Sequence, residues 1–289
     1  MNTKAATSGG ARLDHVGLVG PDLGSLLDRY RALGFSPTEP RPLLHFEPAT
    51  GKSAPTGQSS AHVVFGSGYL ELTQVDAISH DHHLAPWLRR RFGLHILALG
   101  VEDIAAAHER CACAGVPVRA PARASRAVEY GSQRGQARFE WFMLAPEASP
   151  EGLLCFVRHE TPELVHQREV ECHPNGALAL DGVYVVAADP REAGYRLAIV
   201  AGARPAEAGT IALGGCWIQL LSPGGFAERF PGAELPPAPC LAGFAVRVAN
   251  LRLARGAMAP GRIAAAPAPG GGFWIDAPHA GGCVVEFIG

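Results

Sequence analysis

Lysine is almost missing from this 289-residue chain: Lys4 and Lys52 are the only two, and arginine carries nearly all of the basic charge. With 25 basic against 27 acidic residues, the net charge is −2. That balance excludes the basic footprint of a nucleic-acid binder and any pull toward an anionic membrane. Long apolar runs are absent too. No stretch of about 18 apolar residues is present to span a bilayer, and the opening MNTKAATSGGARLD has no apolar centre of the kind a secretory signal needs, so the expected location is cytoplasmic. The cysteines Cys111, Cys113, Cys155, Cys172, Cys216, Cys240 and Cys283 contain no C-x-x-C pair, and their odd number suits buried thiols better than a disulfide framework or a zinc knuckle. A content of 47% hydrophobic and 18% charged residues excludes full disorder and fits two ordinary domains or one duplicated one.

What the chain does have is a recurring order of elements. Leu13 to Val19 alternates like a strand, and a helix follows from Pro21, with Leu23, Leu26, Leu27, Tyr30 and Leu33 at spacings of three and four up to the stop at Gly34. A Pro-rich excursion leads to strands at Ala61–Phe65 and Tyr69–Val75. The same β-α-β-β-β order restarts at Gly93, at Leu180 and at Gly243, and Leu13-Asp-His-Val16 is echoed by Leu180-Asp-Gly-Val183. One such module leaves a sheet face bare, so modules must pair. The expected architecture is α+β: four βαβββ modules paired into two cup-shaped half-barrel domains, 12–170 and 171–289, joined through the polar segment 158–177.

Three polar residues stand in otherwise apolar strands: His15, Glu71 and His95. A carboxylate in such a place is costly unless paired or bound to a cation, and imidazole with carboxylate is a common donor set for a divalent transition metal. These residues, on strands of successive modules, resemble the vicinal oxygen chelate superfamily and its glyoxalase-like branch, which includes glyoxalases, bleomycin-resistance proteins and extradiol dioxygenases. In that superfamily paired βαβββ modules project ligands into a cup in the order His, Glu, His, Glu. The resemblance implies a metal centre of His15, Glu71 and His95 holding a divalent ion (Fe, Zn, Ni or Mn). It also implies lyase, isomerase or dioxygenase chemistry on a small substrate with vicinal oxygens.

The fourth ligand position departs from the family pattern, because aligning Cys155-Phe-Val with Glu286-Phe-Ile puts Cys155 where a glutamate is expected. Gln58, Ser60 and His62 are placed at the cup mouth, and Phe65, Tyr69, Trp141 and Met143 as a lining for a small apolar or aromatic molecule; Gln58, His62 and Trp141 are the substrate-binding candidates. In the second half the matching positions hold Gly182, Gln219, Phe244 and Glu286, so that cup is expected to lack a metal and to serve as a structural partner or a homodimer surface. The run His80-Asp-His-His83 reads as a solvated loop. Two pairings remain open, module one with module two or with module four. An alternative function is open as well: a binding protein of the bleomycin-resistance type that sequesters a small molecule without turnover.

Overall fold

The computed structural model describes residues 10–79, 81–204, 209–258 and 263–289. Module one runs β1 (Arg12–Val19), α1 (Leu23–Ala32), β2 (Arg41–Glu47), β3 (Lys52–Val64) and β4 (Tyr69–Val75). After a short α2 (Ala85–Leu88), module two repeats it as β5 (Gly93–Gly100), α3 (Ile104–Cys113), β6 (Ala122–Val128), β7 (Gly135–Met143) and β8 (Leu153–His159), followed by α4 (Pro162–Val165). Module three is β9 (Ala177–Val186), α5 (Pro190–Ala201), β10 (Thr210–Leu213) and β11 (Cys216–Leu221), followed by α6 (Pro223–Arg229). Module four is β12 (Cys240–Val248), α7 (Leu251–Gly256), β13 (Ala265–Pro267), β14 (Phe273–Ile275), α8 (Ala277–Ala280) and β15 (Val284–Ile288). Each module starts its helix with the same local chemistry. Asp22, Asp103, Asp189 and Asn250 accept hydrogen bonds from first-turn backbone amides, satisfying donors a helix start leaves free.

Modules one and two close on each other in the order β1-β4-β3-β2-β6-β7-β8-β5, an eight-stranded barrel. This selects the pairing of module one with module two. The second half stays open as a sheet in the order β10-β11-β9-β12-β15-β14-β13, where module three has one strand fewer among the described residues. The α+β fold of paired modules is therefore as the sequence implied.

The register carries more information than the strand order. β1 and β5 pair antiparallel and symmetrically about Val16–Leu97: Leu13–Leu99 has its counterpart in Leu18–Leu94, and His15–Ala98 in Gly17–Ile96. Asp14 and His95 are the residues skipped at the two irregularities. β9 and β12 repeat this with Leu180–Val246 against Val185–Leu241, skipping Asp181 and Ala242. Each module thus opens with a leucine, Leu13, Leu94, Leu180 or Leu241, followed by one bulged residue and then the first residue of the continuing ladder.

One core serves both sheets. Leu18, Leu33 and Leu97 from the barrel side and Val183, Val246 and Phe287 from the other belong to the same buried cluster, and the rings of Phe35 and Phe287 stack at 5.8 Å across it. The connection also clamps the halves. Ser36 N–H donates to His173 Nδ1 at 3.2 Å, so the proton sits on Nε2, which donates to Val64 O at 2.8 Å. Asn175, fully buried, donates to Leu33 O at 3.0 Å. The division at 170/171 is kept as a proposal, since the sheets separate there while the core does not.

Candidate functional site

Neighbouring residues in a regular strand point to opposite faces. The bulge at Asp14 breaks that rule, and it lets Asp14 and His15 hydrogen-bond to each other: His15 Nδ1 lies 2.8 Å from Asp14 Oδ1. His159 from β8 brings its Nε2 to the same oxygen at 3.2 Å. Burial alone would raise the Asp14 pKa, but the hydrogen bonds from His15 and His159 hold it well below the usual carboxylate range. An ionised Asp14 only accepts, so His15 carries a proton on Nδ1, and its neutral form presents a bare Nε2 to the barrel interior. The Tyr69 ring, directly across from His15 on β4, stacks on the imidazole at 4.3 Å and 17° and fixes its plane.

Two residues further along β4, Glu71 faces the same space. Its Oε1 accepts from Ser60 Oγ at 2.7 Å and from Gln58 Nε2 at 3.1 Å, while Oε2 stands 3.8 Å from His15 Nε2. That gap is too long for a hydrogen bond and wide enough for one bridging atom. Around it lies a cavity of about 70 Å3, lined on the polar side by His15, Gln58, His62, Glu71, Arg126 and His159. Leu43, Tyr69, His83, Phe139 and Trp141 form much of the remainder, with Ile96, Leu153, Cys155 and Val157. Four fully buried polar atoms of lining residues have no hydrogen-bond partner: Gln58 Oε1, Arg126 Nη2, Trp141 Nε1 and His159 Nδ1.

Of the sequence-derived candidates, His15, Glu71, Gln58, His62 and Trp141 line this one cavity. His95 does not. It sits on the outer side of β5 beside Trp87, Arg90, Glu151 and Pro239, with Nε2 bonded to Arg91 O at 2.9 Å. Matching histidine to histidine slips the module alignment by one residue, and one residue turns a side chain to the other face of a strand. In the symmetric register the counterpart of His15 is Ile96, and His95 is the counterpart of the bulged Asp14.

Cys155, in contrast, pairs with Ala98 as Glu71 pairs with Gly17, which places it at the fourth ligand position. Burial, helped by Glu71 and Asp14, pushes its thiol far above the ordinary range, so it is a neutral wall. The four family ligand positions are thus His15, Glu71, Ile96 and Cys155. Among the described residues, no group of three His, Cys, Asp or Glu is placed to hold a metal ion. The donor set does not fit the metal centre that the resemblance implied.

Other expectations shift as well. Phe65 belongs to the outer core, not to the lining, and Met143 stands in the barrel interior beside Cys155. His80 lies outside the described residues; His82 is buried, and His83, stacked on it, reaches the cavity instead of standing in a solvated loop. In the second half the module-four counterpart of Gly182 is Gly243, one residue before Phe244. The Trp217 ring fills the space that a Cβ at Gly182 would need. Glu286, fully buried, is held by Arg229 at 2.5 Å and by Tyr184 Oη, and Phe226 and Phe230 pack in the same cluster.

Sequence reasoning missed Asp14, Arg126 and His159. Asp14 was adjacent to the chosen histidine, but ordinary alternation assigns it to the other face. Arg126 sits in Ala-Arg-Ala-Ser-Arg-Ala-Val, a pattern that reads as a polar edge strand.

Burial lowers the pKa of His62 well below its usual value, reinforced by Arg126, and lowers that of His95 to about 3, reinforced by Arg91. Both are neutral in the fold, whereas unfolded histidine takes a proton near pH 6.5. The stability they protect is complete above about pH 6.5 and drains as pH falls toward their folded values, at about 1.4 kcal/mol per pH unit per group. Asp14 acts in a lower window, below about pH 4. Urea midpoints measured at pH 7.5 and pH 5 should therefore fall on acidification; a flat profile would show that the two imidazoles are not buried as described.

A family model described as a glyoxalase-like domain matches residues 13–200. No curated protein matches the chain. Among solved structures, a hypothetical protein from Staphylococcus aureus aligns over 96% of this chain and 99% of its own, with a TM-score of 0.63 at 10% identity. A triple mutant of 4-hydroxymandelate synthase from Streptomyces coelicolor aligns over 97% of this chain and 92% of its own, with a TM-score of 0.56 at 15% identity. At these identities the likeness is one of fold. No helix among the described residues is long and apolar enough to cross a membrane.

Proposed function

Because the chain belongs to the glyoxalase-like domain family, we propose that its barrel interior is the active site of an enzyme that moves a proton on a small substrate with two adjacent oxygens. The observation that carries this reading is the Asp14–His15 pair, which aims a bare imidazole nitrogen across a 3.8 Å gap at a carboxylate inside a small cavity. The suitable substrate carbon bears a hydroxyl and adjoins a carbonyl or carboxylate.

His15 Nε2 takes the proton from that carbon. The C–H electron pair moves into the new C=C bond as the neighbouring carbonyl becomes an oxyanion, giving an enediolate. Returning the proton to the same carbon epimerises the substrate; where the neighbour is a carbonyl, returning it to that carbon while Glu71 passes the hydroxyl proton to the oxyanion isomerises it. Glu71 Oε2 accepts the substrate hydroxyl, since Ser60 and Gln58 already occupy Oε1. Gln58, His62 and Trp141 position the substrate, and Tyr69 keeps the base in plane. His15 and Glu71 are the donors a divalent ion would meet in this cavity. With Ile96 and Cys155 at the other two positions the set is incomplete, and no step is routed through a metal.

In D2O, wild-type protein is expected to exchange the substrate C–H of methylglyoxal hemithioacetals or small 2-hydroxy acids, followed by NMR, and His15→Ala is expected to lose that exchange by at least about 10²-fold. The aromatic lining and its unpartnered polar atoms also suit the second reading, a binding protein without turnover. Binding of these molecules with no exchange above the uncatalysed rate would select it.

A further inference from the structure

A charged group of the cavity with no ion-pair partner among the described residues is Arg126. Its side chain is buried, with the residue 5% exposed. One guanidinium nitrogen donates to Tyr130 Oη at 3.3 Å, and Nη2 has no partner. No aspartate or glutamate among the described residues lies within ion-pair distance of it, although the chain's other buried or half-buried arginines include the Arg196–Glu151 and Arg229–Glu286 pairs. Arginine keeps its charge in any protein environment, so β6 holds a buried cation with no counter-ion. Removing a charge from water without a partner is costly unless something else supplies one.

Three more unmatched atoms line the same cavity, and they have a common logic. Trp141 Nε1 is a second unused donor, while Gln58 Oε1 and His159 Nδ1 are unused acceptors. A fixed positive charge suits an oxyanion, and the planar guanidinium fork suits a carboxylate. The acceptors suit a hydroxyl. We propose that Arg126 is the anion subsite of the cavity, and that the ligand is a small carboxylate carrying a hydroxyl group. This rests on the cavity being the ligand site proposed above, but it concerns recognition and not proton transfer. It places the negative end of the substrate on β6, on the module-two side of the barrel, while the base and Glu71 come from module one.

The test uses binding, so it can fail independently of turnover. Calorimetric titration of wild-type protein with lactate and 3-phenyllactate should show saturable binding at least 10-fold tighter than their uncharged amides. His15→Ala should retain that preference, since the acid–base pair is not what holds the anion. Arg126→Met should abolish it, and should also raise the Tm of the ligand-free protein by about 2 °C or more, because an unpaired buried charge has been removed. A merely structural Arg126 would have the opposite effect on Tm, since its bond to Tyr130 would be lost. Equal binding of acids and amides, binding of neither acid, a preference that survives in Arg126→Met, or a lowered Tm in that variant would each overturn the assignment.

Discussion

Asp14→Asn is expected to lower the proton-exchange rate by about 10²–10⁴-fold while the barrel stays folded. Asparagine fills the same volume, but its amide nitrogen is a donor. Once it turns that donor toward His15 Nδ1, the ring must carry its proton on Nε2, and the lone pair that faces Glu71 is gone. Asp14 is a positioning residue here: it lies behind the base and acts through it. Two readouts separate this from general damage. Nitrogen NMR of the His15 ring should show the proton on Nδ1 in the wild type and redistributed in the variant. Solvent-deuterium exchange should fall as the tautomer changes, at a temperature where the variant's thermal transition, lowered by loss of the ionised carboxylate, shows it still folded. An unchanged exchange rate alongside a changed tautomer would sink the idea that His15 Nε2 is the base.

The second large effect lies in the other half of the molecule. Arg229→Ala should destabilise the protein by about 3–5 kcal/mol, because it strands Glu286 as a fully buried carboxylate. Tyr184 cannot compensate by more than the one hydrogen bond it already gives. Burial and Glu286 itself push its phenol far above the ordinary range, so it stays a protonated donor. Arginine also packs its guanidinium over the Phe230 ring at 5.1 Å, a contact alanine loses. Replacing both partners, Arg229→Met with Glu286→Leu, should recover most of the loss, since an ion pair exchanged for apolar volume is close to neutral. Guanidinium denaturation of the single and double variants measures both steps. A single variant as stable as wild type would mean that the pair is not desolvated.

The module repeat and the α+β class were legible because period-two strands, capped helices and the echo of Leu-Asp-His-Val in Leu-Asp-Gly-Val all report the same unit. Barrel closure was not legible, because it depends on β2 meeting β6 through pairs such as Leu44–Ser125, which no local pattern announces. In the site, His15 and Glu71 stood out as polar interruptions of apolar strands. His95 stood out for the same reason, yet it faces outward. A bulge shifts phase by one residue, and a histidine-to-histidine alignment hides that shift. The leucine preceding each bulge was the better anchor: aligning Leu13 with Leu94 places Ile96, and not His95, opposite His15. Arg126 and His159 gave no signal, since their meaning comes from the absence or presence of a partner contributed by a distant strand.

The chain is built twice, and among the described residues the barrel copy encloses the cavity at the ligand positions while Trp217 fills the matching place in the other. Trp217 lies over Gly182, and Phe226, Phe230 and the Arg229–Glu286 pair occupy the concave side of the second sheet. A duplicated architecture usually invites two equivalents of ligand and communication between them. For the ligand proposed above, the expected stoichiometry is one per chain, with occupancy following a simple hyperbola. A sigmoidal response would point to communication between separate molecules, because the position in the second sheet that corresponds to the cavity is filled by Trp217.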